Sequence, residues 1–405
     1  MSMFFKRKTL WVPTFFGWLV IFPLPFILFY ILLITTYPFL AIKKQPTSDM
    51  LVVEGWIPEY GLKNAIDYYH DHHYKYMVIT GVPITQWSYS SPYSNMADAS
   101  ARSMREMYFR DSIYTASIPS TVVRDRTYST AVALKMKMLE GRIPYQKFDL
   151  YTMGAHARRS HLMFEKAIDT LISGVINETD LSFEPDNWFR TSYGFRIVSS
   201  EYISYMYSRL FFFPSEKETF HQILDGRIID SIQKIRFAKD AEFADSTSSP
   251  LEVGGHKLFK GLHYFPIKMS WKVKAKFEVD TSSALFKMKT STTRLPEYRK
   301  YANVTFILND TIRQLTVFQN MDHLKKYPGT KYLFLPFKDR TNGIQSYGGG
   351  RYLDLEITDN DSITIDFNMA YNPYCAYASR WSCPIPPPEN YLDILIEAGE
   401  QKYHE

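Results

Sequence analysis

From Thr9 to Ile42 the chain carries no charged side chain, and this run contains Phe15-Phe16-Gly17-Trp18-Leu19-Val20-Ile21-Phe22 and Phe26-Ile27-Leu28-Phe29-Tyr30-Ile31-Leu32-Leu33-Ile34. A helix crosses a bilayer with roughly 20 apolar residues, so the segment is long enough with slack for tilt. A cleaved leader fits less well. The apolar core exceeds the roughly 7–15 residues of a signal-peptide core, and Pro38-Phe39-Leu40-Ala41-Ile42 makes a poor cleavage site. Pro23 and Pro25 are tolerated in membrane helices and can kink this one. Lys6, Arg7 and Lys8 outweigh Lys43 and Lys44, so the positive-inside rule puts the N-terminus in the cytoplasm. The chain after Lys43 then faces outward from an inner (plasma) membrane anchor, into the periplasm if the protein is bacterial.

The 405 residues leave room for two domains beyond the anchor. Aromatic residues make up 16% of the chain, which excludes a disordered polymer. The net charge of +5 is dispersed and forms no basic stripe, so nucleic acid is not expected as a partner. Residues 1–13 read as a cytoplasmic tip, 14–42 as the transmembrane helix and 48–215 as an α/β domain. Residues 216–247 read as a helical connector and 248–405 as a β-rich domain.

In the α/β part, Leu51-Val52-Val53, Met77-Val78-Ile79, Val122-Val123 and Phe148 to Met153 read as buried strands. Between them, Leu62, Ala65, Ile66 and Tyr69 share one helical face, as do Ala131, Leu134 and Met138. Met104, Met107 and Tyr108 mark another helix, and Phe164, Ile168 and Leu171 a fourth. Such alternation predicts a Rossmann-like parallel sheet covered on both faces. Tyr202, Tyr205, Met206, Tyr207, Leu210 and Phe211-Phe212-Phe213 read as a core helix returning to that sheet; a membrane-surface helix is the alternative.

After Ser248 the rhythm changes to period two. Trp271, Val273, Ala275, Phe277 and Val279 alternate with polar residues, and Leu353-Leu355-Ile357, Ile363-Ile365-Phe367 and Leu392-Ile394-Ile396 repeat the pattern, with a turn at Asp359-Asn360-Asp361. This predicts a mostly antiparallel sandwich or barrel.

Polar residues gather where the first-half strands stop: Glu54-Gly55, Thr80-Gly81, Arg124-Asp125-Arg126-Thr127 with Thr130, and His156 with Arg158, Arg159 and Ser160. Ligands bind at the C-terminal ends of parallel strands. Arginine forks suit phosphate or carboxylate, and His156 suits proton transfer with Asp125 orienting a basic group. Each residue has a plainer role open to it: Thr127 as a helix cap, Arg158 and Arg159 as solvated charge. His70-Asp71-His72-His73 matches no zinc spacing, and neither a metal nor a cofactor is expected.

Asp49 to about Leu171 resembles the SanA/YdcF/ElyC-like envelope family. The resemblance lies in the anchor, the Leu51-Val52-Val53 strand, Thr127-Tyr128 and His156-x-x-Arg159. It implies a Rossmann-like envelope protein acting near lipid-linked wall or surface-glycan metabolism, without naming a reaction.

In the second half, Gly348, Gly349 and Gly350 precede Arg351 in a run that is not a phosphate loop, since a strand follows it and Gly-Lys-Ser/Thr is absent. Asp366, Asn368, Asn372 and Cys375 follow, then Cys383, the Pro386-Pro387-Pro388 segment, Glu389 and Asn390. These strings, with Phe259 to Pro266 and Leu335-Pro336-Phe337-Lys338-Asp339, resemble the domain of unknown function 1684. Their polar residues read as a small-ligand site or as a buried hydrogen-bond network. Cys375 and Cys383 read as a disulfide in an oxidising compartment, as half of a metal site, or as free thiols.

The reading is thus of an anchored envelope protein holding an anionic, phosphorylated or lipid-linked ligand in the first domain. The alternatives are a non-catalytic scaffold binding envelope partners, and binding or catalysis in the second domain.

Overall fold

The computed structural model describes residues 13–84, 94–168 and 171–403. Lys6, Arg7 and Lys8, on which the predicted topology rests, lie outside the described residues.

The apolar run forms helices α1 (Phe15–Ile21) and α2 (Leu24–Leu40). Phe22-Pro23 interrupts them, where proline cannot supply the backbone donor that a continuous helix needs. Taken together, residues 15–40 are long and apolar enough to cross a membrane.

Two compact units follow from the chain's contacts, Met1–Arg227 and Ile228–Glu405. In the first, strands β1 (Met50–Glu54), β2 (Tyr76–Gly81), β3 (Ile113–Ser117), β4 (Phe148–Met153) and β5 (Ile172–Glu178) form one parallel sheet in the order β3-β2-β1-β4-β5. Helices α3 (Glu59–Asp71), α4 (Met96–Glu106), α5 (Arg126–Leu139), α6 (Ala157–Ile168) and α7 (Ser192–Leu210) accompany it. Side chains alternate along a strand, so β1 feeds two cores. Met50 and Val52 join Leu134 of α5 and Leu162 of α6 on one face. Leu51 and Val53 join Leu62 of α3 and Met104 of α4 on the other. Truncating any of these leucines to alanine costs about 2–5 kcal/mol.

The third strand differs from expectation. It is Ile113–Ser117, while Val122 and Val123 lie in the connection to α5. As the sheet's edge, β3 is largely half-exposed and holds only one fully buried residue, Ala116, so its sequence lacks the apolar run of a central strand. The fifth strand, β5, was not anticipated. Helix α4 stops before Tyr108, whose φ of 68° ends the helical path, and Leu171 lies beyond α6. Helix α7 is not a core helix: it buries only Gly194, Val198 and Ser208, while Ile203, Tyr207 and Leu210 are exposed, as are Phe211 and Phe213 just after it.

Helix α8 (Glu216–Ala244) contains the boundary between the units. The second unit is an antiparallel sheet curled into a half-barrel. Its strands are β6 (Lys272–Val279), β7 (Leu285–Lys287), β8 (Glu297–Leu308), β9 (Thr311–Asn320), β10 (Tyr332–Asp339), β11 (Arg351–Glu356) and β12 (Ser362–Asp366), with β13 (Tyr391–Leu392) parallel to β10. The path runs β11-β10-β9-β8-β6-β12, and a short helix, α9 (Met321–Lys326), follows β9. Period two holds in the middle of β6, where Ala275 and Phe277 are buried and Lys274, Lys276 and Glu278 are exposed, but it fails at the end, where Val279 is exposed. Leu392, Ile394 and Ile396 make no full strand, because only Tyr391–Leu392 pairs with β10.

Candidate functional site

Strand order decides which loops can meet. The chain steps outward from β1 to β2 and β3, then returns to place β4 and β5 on the other side of β1. The direction therefore reverses between β1 and β4, and a crevice at that reversal is where such sheets hold ligands. β1 and β4 pair with Val52 opposite Leu150, so Glu54 and Thr152, two residues on, lie side by side on the face covered by α6.

Glu54 is buried, and its carboxylate accepts hydrogen bonds from the Thr152 hydroxyl and, at 2.7 Å, from the Ser160 hydroxyl. His156 ends the turn after β4, and Arg159 and Ser160 follow at i+3 and i+4, on the same side of α6. His156 Nε2 lies 3.7 Å from Glu54, and its Nδ1 lies 3.0 Å from Glu201 of α7. Glu201 also accepts from Arg159, from Nε at 2.7 Å and from Nη2 at 3.0 Å. Arg159 Nη2 also lies 3.0 Å from His156 Nδ1, so this nitrogen faces both a donor and the Glu201 carboxylate, while Nε2 faces Glu54. Trp56, 40% exposed, meets the imidazole edge to face at 5.0 Å.

Burial raises the cost of charge on Glu201, yet the hydrogen bonds and charge of His156 and Arg159 outweigh it and hold the carboxyl at about 2. An imidazole pinned through Nδ1 by a carboxylate, with Nε2 directed at another carboxylate, is arranged for proton transfer.

The structure thus brings Glu54, His156, Arg159 and Ser160 together, and adds Glu201, Thr152 and Trp56, which the sequence did not single out. Trp56 follows Glu54-Gly55 directly and could have been read from that adjacency. Glu201 sits in an aromatic helix, where its significance depends on where α7 packs.

The other first-half residues fall elsewhere. Gly55 and Gly81 serve close packing: a Cβ on Gly81 would meet the Ala97 backbone nitrogen at 2.2 Å, and one on Gly55 the Thr80 carbonyl at 2.6 Å. Thr80 is buried between strands. Arg158 donates to the Phe39 carbonyl and stacks 4.0 Å above the Phe39 ring, fastening the end of α2. Arg124 and Asp125 line a different cavity, of about 500 Å³, beside Tyr128 and Phe212. Asp125 is in the left-handed region at φ 49°, Arg126 is exposed, Thr127 lies within the first turn of α5, and Thr130 donates back to the Arg126 carbonyl at 2.7 Å. Three strand spacings, about 14 Å, separate β3 from β4, so the loops form two clusters instead of one.

The second-unit candidates form a buried hydrogen-bond network. Arg351 is fully buried; it pairs with Asp339 at 2.7 Å and donates to the carbonyls of Ile396 and Ala398. Asn368 bridges Asp366 and the Lys268 backbone. Asn372 donates to the Gln401 carbonyl, and Asn390 ties Thr316 to Pro336. Glu389 pairs with Lys300 at 3.0 Å. Gly350, at φ 101°, lets the chain pass Pro386, which a Cβ would meet at 2.6 Å; Gly349 packs on Tyr347, and Gly348 meets only Gly343. Cys375 and Cys383 are free thiols, with the Cys375 backbone N–H 3.3 Å from Cys383 Sγ. Hydrogen bonding from Cys383 lowers the Cys375 thiol to about 6 against the opposing effect of burial, while the same contact and burial push Cys383 up.

Residues 257–401 match the family described as protein of unknown function DUF1684. The solution NMR structure of an uncharacterised protein from Haloarcula marismortui is similar at 36% identity, over 43% of this chain and 94% of that one, with a TM-score of 0.36. No curated protein matches.

Proposed function

We propose a function from the α/β unit, since the DUF1684 family that residues 257–401 match carries no reaction in its description: a membrane-anchored envelope protein that binds the polar head of a phosphorylated or lipid-linked ligand at the β1/β4 crevice. The finer reading of this unit as SanA/YdcF/ElyC-like, facing the periplasm, belongs to the same proposal. One observation carries it. Tyr37 and Leu40 of the apolar helix, Ala155 beside His156, and Val198 one turn before Glu201 pack in a single cluster with Phe183 and Trp188. The Trp188 indole also donates to the Leu33 carbonyl at 2.9 Å. A site built on the clamp of a membrane helix lies within reach of a ligand whose tail remains in the bilayer. The exposed Ile203, Tyr207, Leu210, Phe211 and Phe213 suit a membrane-facing side of the same unit.

His156 is the proton carrier in this reading, with Glu54 beside Nε2 and Glu201 and Arg159 holding Nδ1. Trp56 offers an aromatic face to a sugar or prenyl-proximal group. Arg159 is already satisfied by Glu201, so the anionic group falls to Arg124 and Arg126, and a ligand touching both clusters must span about 14 Å.

The test is a thermal-shift titration of the detergent-solubilised full chain with undecaprenyl phosphate. The reading expects a stabilisation that His156→Ala and Glu54→Gln each abolish. An equal shift in both variants would remove the ligand from this crevice, and no shift in the wild-type chain would support the scaffold reading, which the closed Arg159–Glu201 pairing favours.

A further inference from the structure

The second unit holds an aromatic cavity of its own. It has a volume of about 580 Å³, within the range of small-molecule sites, and all its lining residues belong to Ile228–Glu405. Its walls are aromatic: Tyr298, Tyr332, Phe334, Tyr352 and Tyr371. One carboxylate, Asp354, lies among them and has no cationic partner among the described residues.

Three of the tyrosine hydroxyls lining this cavity have committed protons, while the Tyr298 hydroxyl accepts from Asn320 at 2.8 Å. Tyr332 and Tyr371 both donate to Asp354 Oδ1, at 2.9 and 2.8 Å, and Tyr352 donates to the Pro384 carbonyl. Burial first, and the Asp354 charge second, push the Tyr332 and Tyr371 hydroxyls far above the ordinary phenol range, so both stay neutral donors. The cavity thus presents acceptor oxygen, the negative charge of Asp354, the Tyr298 hydroxyl and the faces of aromatic rings, with the His323 imidazole against Tyr332 at 5.0 Å. The Lys239 ammonium, 5.0 Å from the centroid of Tyr371, is neutralised by its ion pair with Glu400. That lysine also exhibits the relevant chemistry, since a cation already rests against one wall.

We propose that this cavity binds an organic ammonium group, held against the Tyr332 and Tyr371 rings with Asp354 as its counter-ion. Aromatic faces attract cations through their quadrupoles, and the exposed Asp354 carboxylate at the cavity's edge adds charge complementarity. A neutral sugar would find the Tyr332, Tyr371 and Tyr352 hydroxyl protons already in use, and an anion would meet Asp354. The inference is independent of the function proposed for the α/β unit, because it uses none of that unit's residues.

The test is calorimetric titration of the full chain in detergent with choline, ethanolamine and 3,3-dimethyl-1-butanol, the last an uncharged isostere of choline. At least one of the two ammonium probes should bind about tenfold more tightly than the isostere. Asp354→Asn, whose amide oxygen can still accept from both tyrosines, should remove that preference. Asp393→Asn, an exposed acid paired only with Arg340, should leave it intact. Glycerophosphocholine in a parallel titration separates a lipid headgroup, which would bind more tightly than choline, from a free base, which would not. Equal binding of ammonium and isostere, no binding of either ammonium probe, or an unchanged preference in folded Asp354→Asn would each overturn the proposal.

Discussion

Replacing Glu201 with glutamine tests how the candidate site is held together. The carboxylate accepts from His156 Nδ1 and twice from Arg159, and its side chain is 17% exposed, so solvent screening is limited. These contacts depress its ionisation from the ordinary 4.5 to about 2. At about 1.36 kcal/mol for each pH unit, the depression corresponds to about 3 kcal/mol of native stability at neutral pH. The sign follows from proton uptake. Between pH 4.5 and 2 the unfolded chain protonates this group first, so the stabilisation is complete above 4.5 and disappears as pH falls through about 2. Glutamine keeps the shape and loses the charge. Hydrogen exchange followed by mass spectrometry on the full chain reads local opening of α6 and α7. Glu201→Gln should accelerate exchange there about a hundredfold at pH 7, with the gap from wild type closing toward pH 2. A variant indistinguishable from wild type at pH 7, or a gap that persists unchanged at low pH, would refute the reasoning.

Other outcomes follow from the same contacts. Arg158→Ala loses both the stack on Phe39 and the hydrogen bond to its carbonyl, about 1–2 kcal/mol, and should raise exchange across residues 33–44 about tenfold. Asp339→Asn leaves the Arg351 guanidinium buried without its counter-charge, and should destabilise the second unit by about 3–5 kcal/mol in thermal unfolding. Iodoacetamide should alkylate Cys375 with a midpoint near pH 6, and Tyr347→Phe, which removes a hydroxyl bonded to that sulfur, should move the midpoint upward.

The sequence made the central strands legible because β1, β2 and β4 are apolar runs buried on both faces. It hid β3 and β5 because both carry half-exposed positions and small or polar residues, as edge strands do. The same limit governed the site. Glu54, His156, Arg159 and Ser160 were visible as polar residues at strand ends, yet their meeting depends on β4 lying beside β1, and local pattern does not encode strand order. Arg124 and Arg126 were grouped with them for that reason, and β3 at the sheet edge separates them. Glu201 was hidden because α7 reads as an apolar helix, and only its packing against the turn after β4 turns the carboxylate inward. In the second unit the Gly348–Arg351 and Asn368–Asn372 strings stood out by composition, but composition does not distinguish a ligand site from the hydrogen-bond network around Arg351.

In the proposed function the imidazole at the β1/β4 crevice meets the ligand. This contact is tested most directly by the histidine-selective 15N spectrum of the full chain in nanodiscs, titrated with undecaprenyl phosphate. The His156 resonance, identified by its loss in His156→Ala, should move in proportion to occupancy, and Glu54→Gln should suppress the movement. A saturable ligand that leaves this resonance in place would contradict the claim.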